Sequence, residues 1–103
     1  MKIPSIVNLY EVGPRDGLQN EKEIIPANIK VDFINKLIDC RFKNIEIGSF
    51  VSPKWVPQMA DSAFIVDQIK KTKETSFPML TPNLKGIKMA IEKKVDTVCV
   101  FAT

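Results

Sequence analysis

The chain has no histidine, only two cysteines, four glycines, one tryptophan and one tyrosine in 103 residues, and each scarcity removes a class of chemistry. Without imidazole the common zinc ligand sets cannot be assembled, and Cys40 and Cys99 stand far apart with no C-x-x-C spacing. The same separation gives a structural disulfide little support. Cys99 lies in the apolar run Val98-Cys99-Val100-Phe101 and reads as a buried small hydrophobe. No run approaches the ~18 apolar residues that span a bilayer. No apolar h-region follows Met1-Lys2-Ile3-Pro4, so the expectation is a cytoplasmic, reducing compartment with no membrane partner. Aromatic residues are too few to interleave with basic ones, and the net charge of +3 comes from lysines spread in groups such as Lys70, Lys71, Lys73 and Lys88, Lys93, Lys94. Such spacing suits solvated helix faces, not a nucleic-acid footprint.

What remains is ordinary for a globular chain, 45% hydrophobic and 26% charged, and the expectation is one domain over residues 1–103. Four short apolar runs alternate with three helical patterns, the βαβαβαβ order of a parallel α/β protein. The strands are expected at about Ile6–Val12, Asn44–Gly48, Phe77–Leu80 and Thr97–Ala102. Pro26 suits the first turn of a helix whose apolar face is Ile29, Phe33, Ile34, Leu37 and Ile38. Asp61 is the expected N-cap of a second helix with Ile65, Val66 and Ile69 facing inward. A third helix follows Thr81-Pro82-Asn83, with Leu84, Ile87, Ile91 and Val95 inward and Gly86 inside it at a modest propensity cost.

The richest segment is Glu11-Val12-Gly13-Pro14-Arg15-Asp16-Gly17-Leu18-Gln19-Asn20-Glu21. Glycine and proline stop the first strand and force a turn just where an arginine and a carboxylate stand side by side. In (β/α) proteins the ends of the strands carry the chemistry. Glu46 falls between Ile45 and Ile47, so strand alternation turns it to the opposite face, where a buried carboxylate needs a partner. Ser49 and Asn83 sit at strand ends and can line the same mouth or satisfy turn backbone. Trp55, between Pro53 and Pro57, belongs to a stiff loop that either covers the site or packs on the rim.

The first segment, together with Ser49-Phe50-Val51-Ser52-Pro53-Lys54-Trp55-Val56-Pro57-Gln58-Met59-Ala60-Asp61 and Leu80-Thr81-Pro82-Asn83-Leu84-Lys85-Gly86, resembles the hydroxymethylglutaryl-CoA lyase family in collinear order. The resemblance implies a partial (β/α)8 TIM barrel, about its first three and a half βα units, or about 40% of the ~250 residues usual for that fold. It implies a metal-dependent carbon–carbon lyase that takes an acyl-CoA substrate. It assigns Asp16 as a ligand of Mg²⁺ or Mn²⁺, Arg15 as catalytic and substrate-binding, and Glu46 as a catalytic, orienting carboxylate. Gln19 and Ser49 become substrate-binding residues.

The resemblance also marks departures. The His-x-His pair, the asparagine and the loop cysteine that complete the family's site have no counterparts in this sequence. Ile47-Gly48 replaces threonines common in the family. The chain is therefore expected to be the N-terminal part of a lyase barrel, inactive by itself, prone to self-association or to pairing with a missing half-barrel, and homo-oligomeric when whole. Two alternatives stand beside this reading: a related barrel that condenses acetyl-CoA with a 2-oxo acid, and a non-catalytic half-barrel interaction module.

Overall fold

The computed structural model describes residues 1–102. Its regular elements are β1 (Tyr10–Glu11), α1 (Ala27–Asp39), β2 (Asn44–Ile45), β3 (Gly48–Ser49), α2 (Ser62–Gln68), β4 (Met79–Leu80), α3 (Leu84–Glu92) and β5 (Val98–Cys99). Every strand pairing is parallel: β1 with β2, β3 with β4, and β4 with β5. An isolated Asn44–Ser76 bridge joins the two groups, so strands neighbour one another in sequence order. This is the connectivity of a (β/α) barrel wall.

The paired segments are shorter than the apolar runs. Ile6, Val7 and Leu9 are 78%, 71% and 61% exposed, because β1 finds a partner on one side only and pairs just at Tyr10 and Glu11. The expected strand Asn44–Gly48 divides into β2 and β3. Before β3 Ile47 N–H donates to the Pro78 carbonyl, and just after it Phe50 N–H donates to that of Leu80, so three steps on one strand face two on the other. That extra residue is a β-bulge, which reverses the alternation. A side chain on Gly48 would collide with Ser62 Oγ at 2.5 Å, and Phe50 lies against Gly86 of α3. Both therefore face the helices, whereas Glu46 faces away from them. The expected strand Phe77–Leu80 narrows to β4, Met79–Leu80, and Thr97–Ala102 to β5, Val98–Cys99.

The helices cover one side of this sheet. Ile34 and Ile38 of α1, Ile65 and Val66 of α2 and Ala90 of α3 form a core with Ile45, Ile47, Phe77 and Met79. Fully burying each large aliphatic side chain contributes about 1.5–3 kcal/mol. Pro26 takes an extended conformation at the N-cap position, and α1 starts one residue later. Ile29, expected inward, is exposed, and Lys30 takes the buried position in register with Ile34 and Ile38. In α3, Leu84 and Ile91 also turn outward. Gly86 and Ala90 are the residues against the sheet, because α3 docks so closely that a Cβ on Gly86 would lie 2.9 Å from the Phe50 carbonyl oxygen. Val95 does turn inward: Lys94 at φ 56° closes the helix, with Val95 N–H bonded to the Ala90 carbonyl and Lys94 N–H to that of Ile91.

Candidate active site

The turn after β1 is built around one carbonyl. Val12 O accepts from Arg15, Asp16 and Gly17 N–H at 3.1, 2.7 and 3.3 Å, winding Gly13–Gly17 into a single wide helical turn. Glu11 folds back to accept from Gly13 N–H at 2.8 Å, and a Cβ at Gly13 would lie 2.8 Å from that same carboxylate oxygen. A side chain at Gly13 would displace that carboxylate from its bond and press on the Phe33 ring, 3.3 Å away. Pro14 is buried beneath the turn, which leaves Arg15 facing in, its side chain 13% exposed, and Asp16 facing out at 54%.

Arg15 Nε donates to Glu46 Oε1 at 2.5 Å, and its Nη1 reaches Asp16 Oδ1 at 3.3 Å. Glu46 is 4% exposed, so both oxygens need donors. The second, Oε2, accepts from Tyr10 OH at 2.7 Å and lies 3.6 Å from Cys99 Sγ. Tyr10 OH and Cys99 Sγ are 3.0 Å apart. Tyr10 belongs to β1 and Cys99 to β5, the two outer strands. Their contact across the face opposite the helices shows how strongly the sheet curves around Glu46.

Burial, followed by the hydrogen bonds to Cys99 and Glu46, pushes the Tyr10 hydroxyl well above the ordinary phenol range. Burial likewise pushes the Cys99 thiol up, against the opposing effect of its bond to Tyr10. Both groups stay protonated and act as neutral members of the network. Cys99 is thus not the buried hydrophobe expected from its apolar neighbours. Tyr10 carried no functional reading at all. Alternation along β1 could have placed it on the Glu46 face, but its partner on β5 depends on the curvature.

Arg15, Asp16 and Glu46 come together at the C-terminal ends of the strands. Gln19 is half-buried and is not among the partners of that cluster. Ser49 is 1% exposed and its hydroxyl has no hydrogen-bond partner among the described residues. It borders a cavity of about 340 Å³ shared with Ser52, Met59, Asn83 and Lys85. Asn83 is occupied in capping α3, accepting from Gly86 N–H at 2.9 Å. Trp55 is 83% exposed and so is not packed on the rim. For a divalent metal, the outward Asp16 offers the hard oxygen that Mg²⁺ or Mn²⁺ prefers. No group of three or more His, Cys, Asp or Glu residues that could hold a metal occurs among the described residues. Nor, among the described residues, is any helix long and apolar enough to cross a membrane.

A family model described as HMGL-like matches residues 6–103. The cytoplasmic 3-hydroxy-3-methylglutaryl-CoA lyase of Rattus norvegicus is 46% identical over 99 residues, which are 96% of this chain and 29% of that protein. The crystal structure of hydroxymethylglutaryl-CoA lyase from Pseudomonas aeruginosa superposes with a TM-score of 0.96 at 49% identity, covering 99% of this chain and 34% of that one. An HMG-CoA lyase from Acinetobacter baumannii, in complex with coenzyme A and 3-methylmalate, gives a TM-score of 0.90 at 39% identity over 92% of this chain and 31% of that one. The chain spans about a third of the length of these relatives.

Proposed function

The chain belongs to the HMGL-like family, and from that premise we propose that it supplies the Arg15–Asp16–Glu46 corner of a lyase site. The site would cleave 3-hydroxy-3-methylglutaryl-CoA to acetyl-CoA and acetoacetate. One observation carries the reading: a buried carboxylate, Glu46, fixes Arg15 beside an outward-facing Asp16 where parallel strands end.

In this retro-Claisen cleavage the tertiary hydroxyl gives up its proton, the adjacent carbon–carbon bond breaks, and the electron pair collects as the enolate of acetyl-CoA. Arg15 meets that charge. Its Nε is taken by Glu46, which aims the guanidinium and leaves Nη donors for an oxyanion. Glu46 already accepts from Arg15 and Tyr10, so its role is to orient; it is not the general base. Asp16 would help hold a divalent cation, which when bound supplies Lewis-acid polarisation of substrate oxygens. The unpartnered Ser49 hydroxyl and Gln19 are proposed as contacts to the acyl-CoA.

The same proposal covers setting and assembly. Free thiols at Cys40 and Cys99 suit a reducing, cytoplasmic setting. Exposed Ile6, Val7 and Leu9 beside β1 give copies or a complementary half-barrel a surface to cover. With one carboxylate for the metal, residues 1–103 alone should yield no acetoacetate. A chimera in which residues 6–102 replace the matching segment of the Pseudomonas aeruginosa lyase should yield it from 3-hydroxy-3-methylglutaryl-CoA. A folded chimera that makes no acetoacetate but condenses acetyl-CoA with a 2-oxo acid would overturn the lyase assignment.

A further inference from the structure

The loop between β3 and α2 is fastened at one end by a buried lysine that the lyase chemistry leaves unused. Lys30 stands on the inner face of α1 and is 2% exposed. An ammonium in that position is costly to bury unless its donors are matched. Its Nζ donates to Asp61 Oδ1 at 2.8 Å and to the Gln58 carbonyl. Asp61 occupies the N-cap position of α2, yet its carboxylate makes no capping bond to the helix and turns to Lys30 instead. Gln58 in turn donates from Nε2 to the Glu21 carbonyl at 2.9 Å, in the loop that follows the Arg15–Asp16 turn. The adjoining Ser62 hydroxyl donates to the Met59 carbonyl at 2.8 Å and accepts from Ser49 N–H at 3.0 Å.

The short turn Pro57–Met59 is therefore tied at once to α1, to the loop after β1 and to the end of β3. Ahead of it the chain is held much less. The Trp55 and Val56 amides bond back to the Ser52 carbonyl, the Val56 carbonyl accepts from Met59 N–H within the turn, and the Trp55 ring stands in solvent.

We propose that Lys30 is a positioning residue: its ammonium clasps the loop 50–61 and, through Gln58, the loop after β1, fixing the spacing of the two segments that flank Arg15 and Asp16. The mouth that receives the acyl-CoA is thereby preformed before the substrate arrives. This substrate role rests on the function proposed above, whereas the clasp itself rests on geometry alone. A buried ion pair is poor evidence of stability and better suited to specifying one arrangement. Methionine can fill the space of the lysine stem, so Lys30→Met separates positioning from packing.

Hydrogen exchange of residues 1–103 tests the clasp. In Lys30→Met the Met59 and Ala60 amides should exchange at least tenfold faster, while those of Ile34 and Ile38 keep their protection, and trypsin should cut after Lys54 correspondingly faster. Lys30→Arg, which keeps the charge and donors, should restore most of the protection. Should Lys30→Met fail to fold, Asp61→Ala carries the same measurement, because that side chain is partly exposed and its removal leaves the lysine only the Gln58 carbonyl. Unchanged exchange at Met59 and Ala60 in a folded variant, or equal acceleration throughout α1, would overturn the proposal. In the active chimera, Lys30→Met should raise KM for the thioester about tenfold with kcat within twofold, and Lys30→Arg should reverse this. A fall in kcat at constant KM would contradict a preformed mouth. If the parent chimera turns over no thioester while the exchange result holds, the clasp stands and the lyase reading falls.

Discussion

Replacing Glu46 by glutamine tests the centre of the cluster without changing its shape. The amide keeps one oxygen to accept from Arg15, but its NH₂ group meets the Tyr10 hydroxyl that now donates at 2.7 Å. The charge opposite Arg15 Nε at 2.5 Å is lost, with both partners largely out of water at 13% and 5% side-chain exposure. Asp16, at 3.3 Å and half-exposed, is the remaining counter-ion and compensates weakly because solvent screens it. Removing one partner of a buried pair costs about 3–5 kcal/mol, and the retained amide acceptor should reduce this to about 2–3 kcal/mol. For a domain of this length each kcal/mol shifts Tm by about 4–8 °C, so the melt should fall by roughly 10–20 °C. Circular dichroism melts of wild type, Glu46→Gln and Tyr10→Phe at one protein concentration are the assay. Tyr10→Phe removes one hydrogen bond and should cost about 1 kcal/mol. A Glu46→Gln melt within 2 °C of wild type, on the order of a tenth of the expected shift, would refute the claim that Glu46 anchors Arg15.

Gly86→Ala should lower Tm, because the clash of the new Cβ with the Phe50 carbonyl oxygen at 2.9 Å outweighs a helix-propensity gain of about 1 kcal/mol; a higher Tm would show that α3 can shift. Ser49→Ala should leave the melt within about 1 kcal/mol of wild type, since the lost hydroxyl had no partner, while weakening acetyl-CoA binding by the chimera in calorimetric titration; equal affinity would remove Ser49 from the substrate contacts. Stability should be level below pH 9 and decline above it, as the unfolded chain ionises Cys99 from its ordinary value of 9.0 and Tyr10 from 10.0 while the folded state holds both protonated. Denaturant titrations from pH 7 to 10.5 should show that decline, and its persistence in a Tyr10→Phe, Cys99→Ser double variant would assign it to other groups.

The order of elements was legible because short β-branched runs and helical periodicity rarely coincide by chance, and because Gly13-Pro14 punctuates the first strand. The Arg15–Glu46 encounter was foreshadowed by alternation around Glu46. Four features were hidden because they depend on how elements meet. Lys30 reads as a surface lysine until Asp61 and Gln58 come within reach. Leu84 and Ile91 read as core until the close approach of α3 admits only Gly86 and Ala90 against the sheet. Tyr10 and Cys99 are 89 positions apart, and nothing local in either run encodes the curvature that joins them. The bulge at Ile47 to Ser49 likewise belongs to the pairing with β4, and it reversed an alternation that the sequence extends unbroken.

The most direct test of the central claim is the kinetics of Arg15→Met in the chimera, followed as acetoacetate formed from 3-hydroxy-3-methylglutaryl-CoA. Arg15 is held by Glu46 to meet charge that develops as the carbon–carbon bond breaks, so kcat should fall by about 10²–10³ with KM much less affected. Glu46→Gln should follow in the same direction by a smaller factor. A folded Arg15→Met chimera that retains its kcat would contradict the account, because the guanidinium would then have no part in the cleavage.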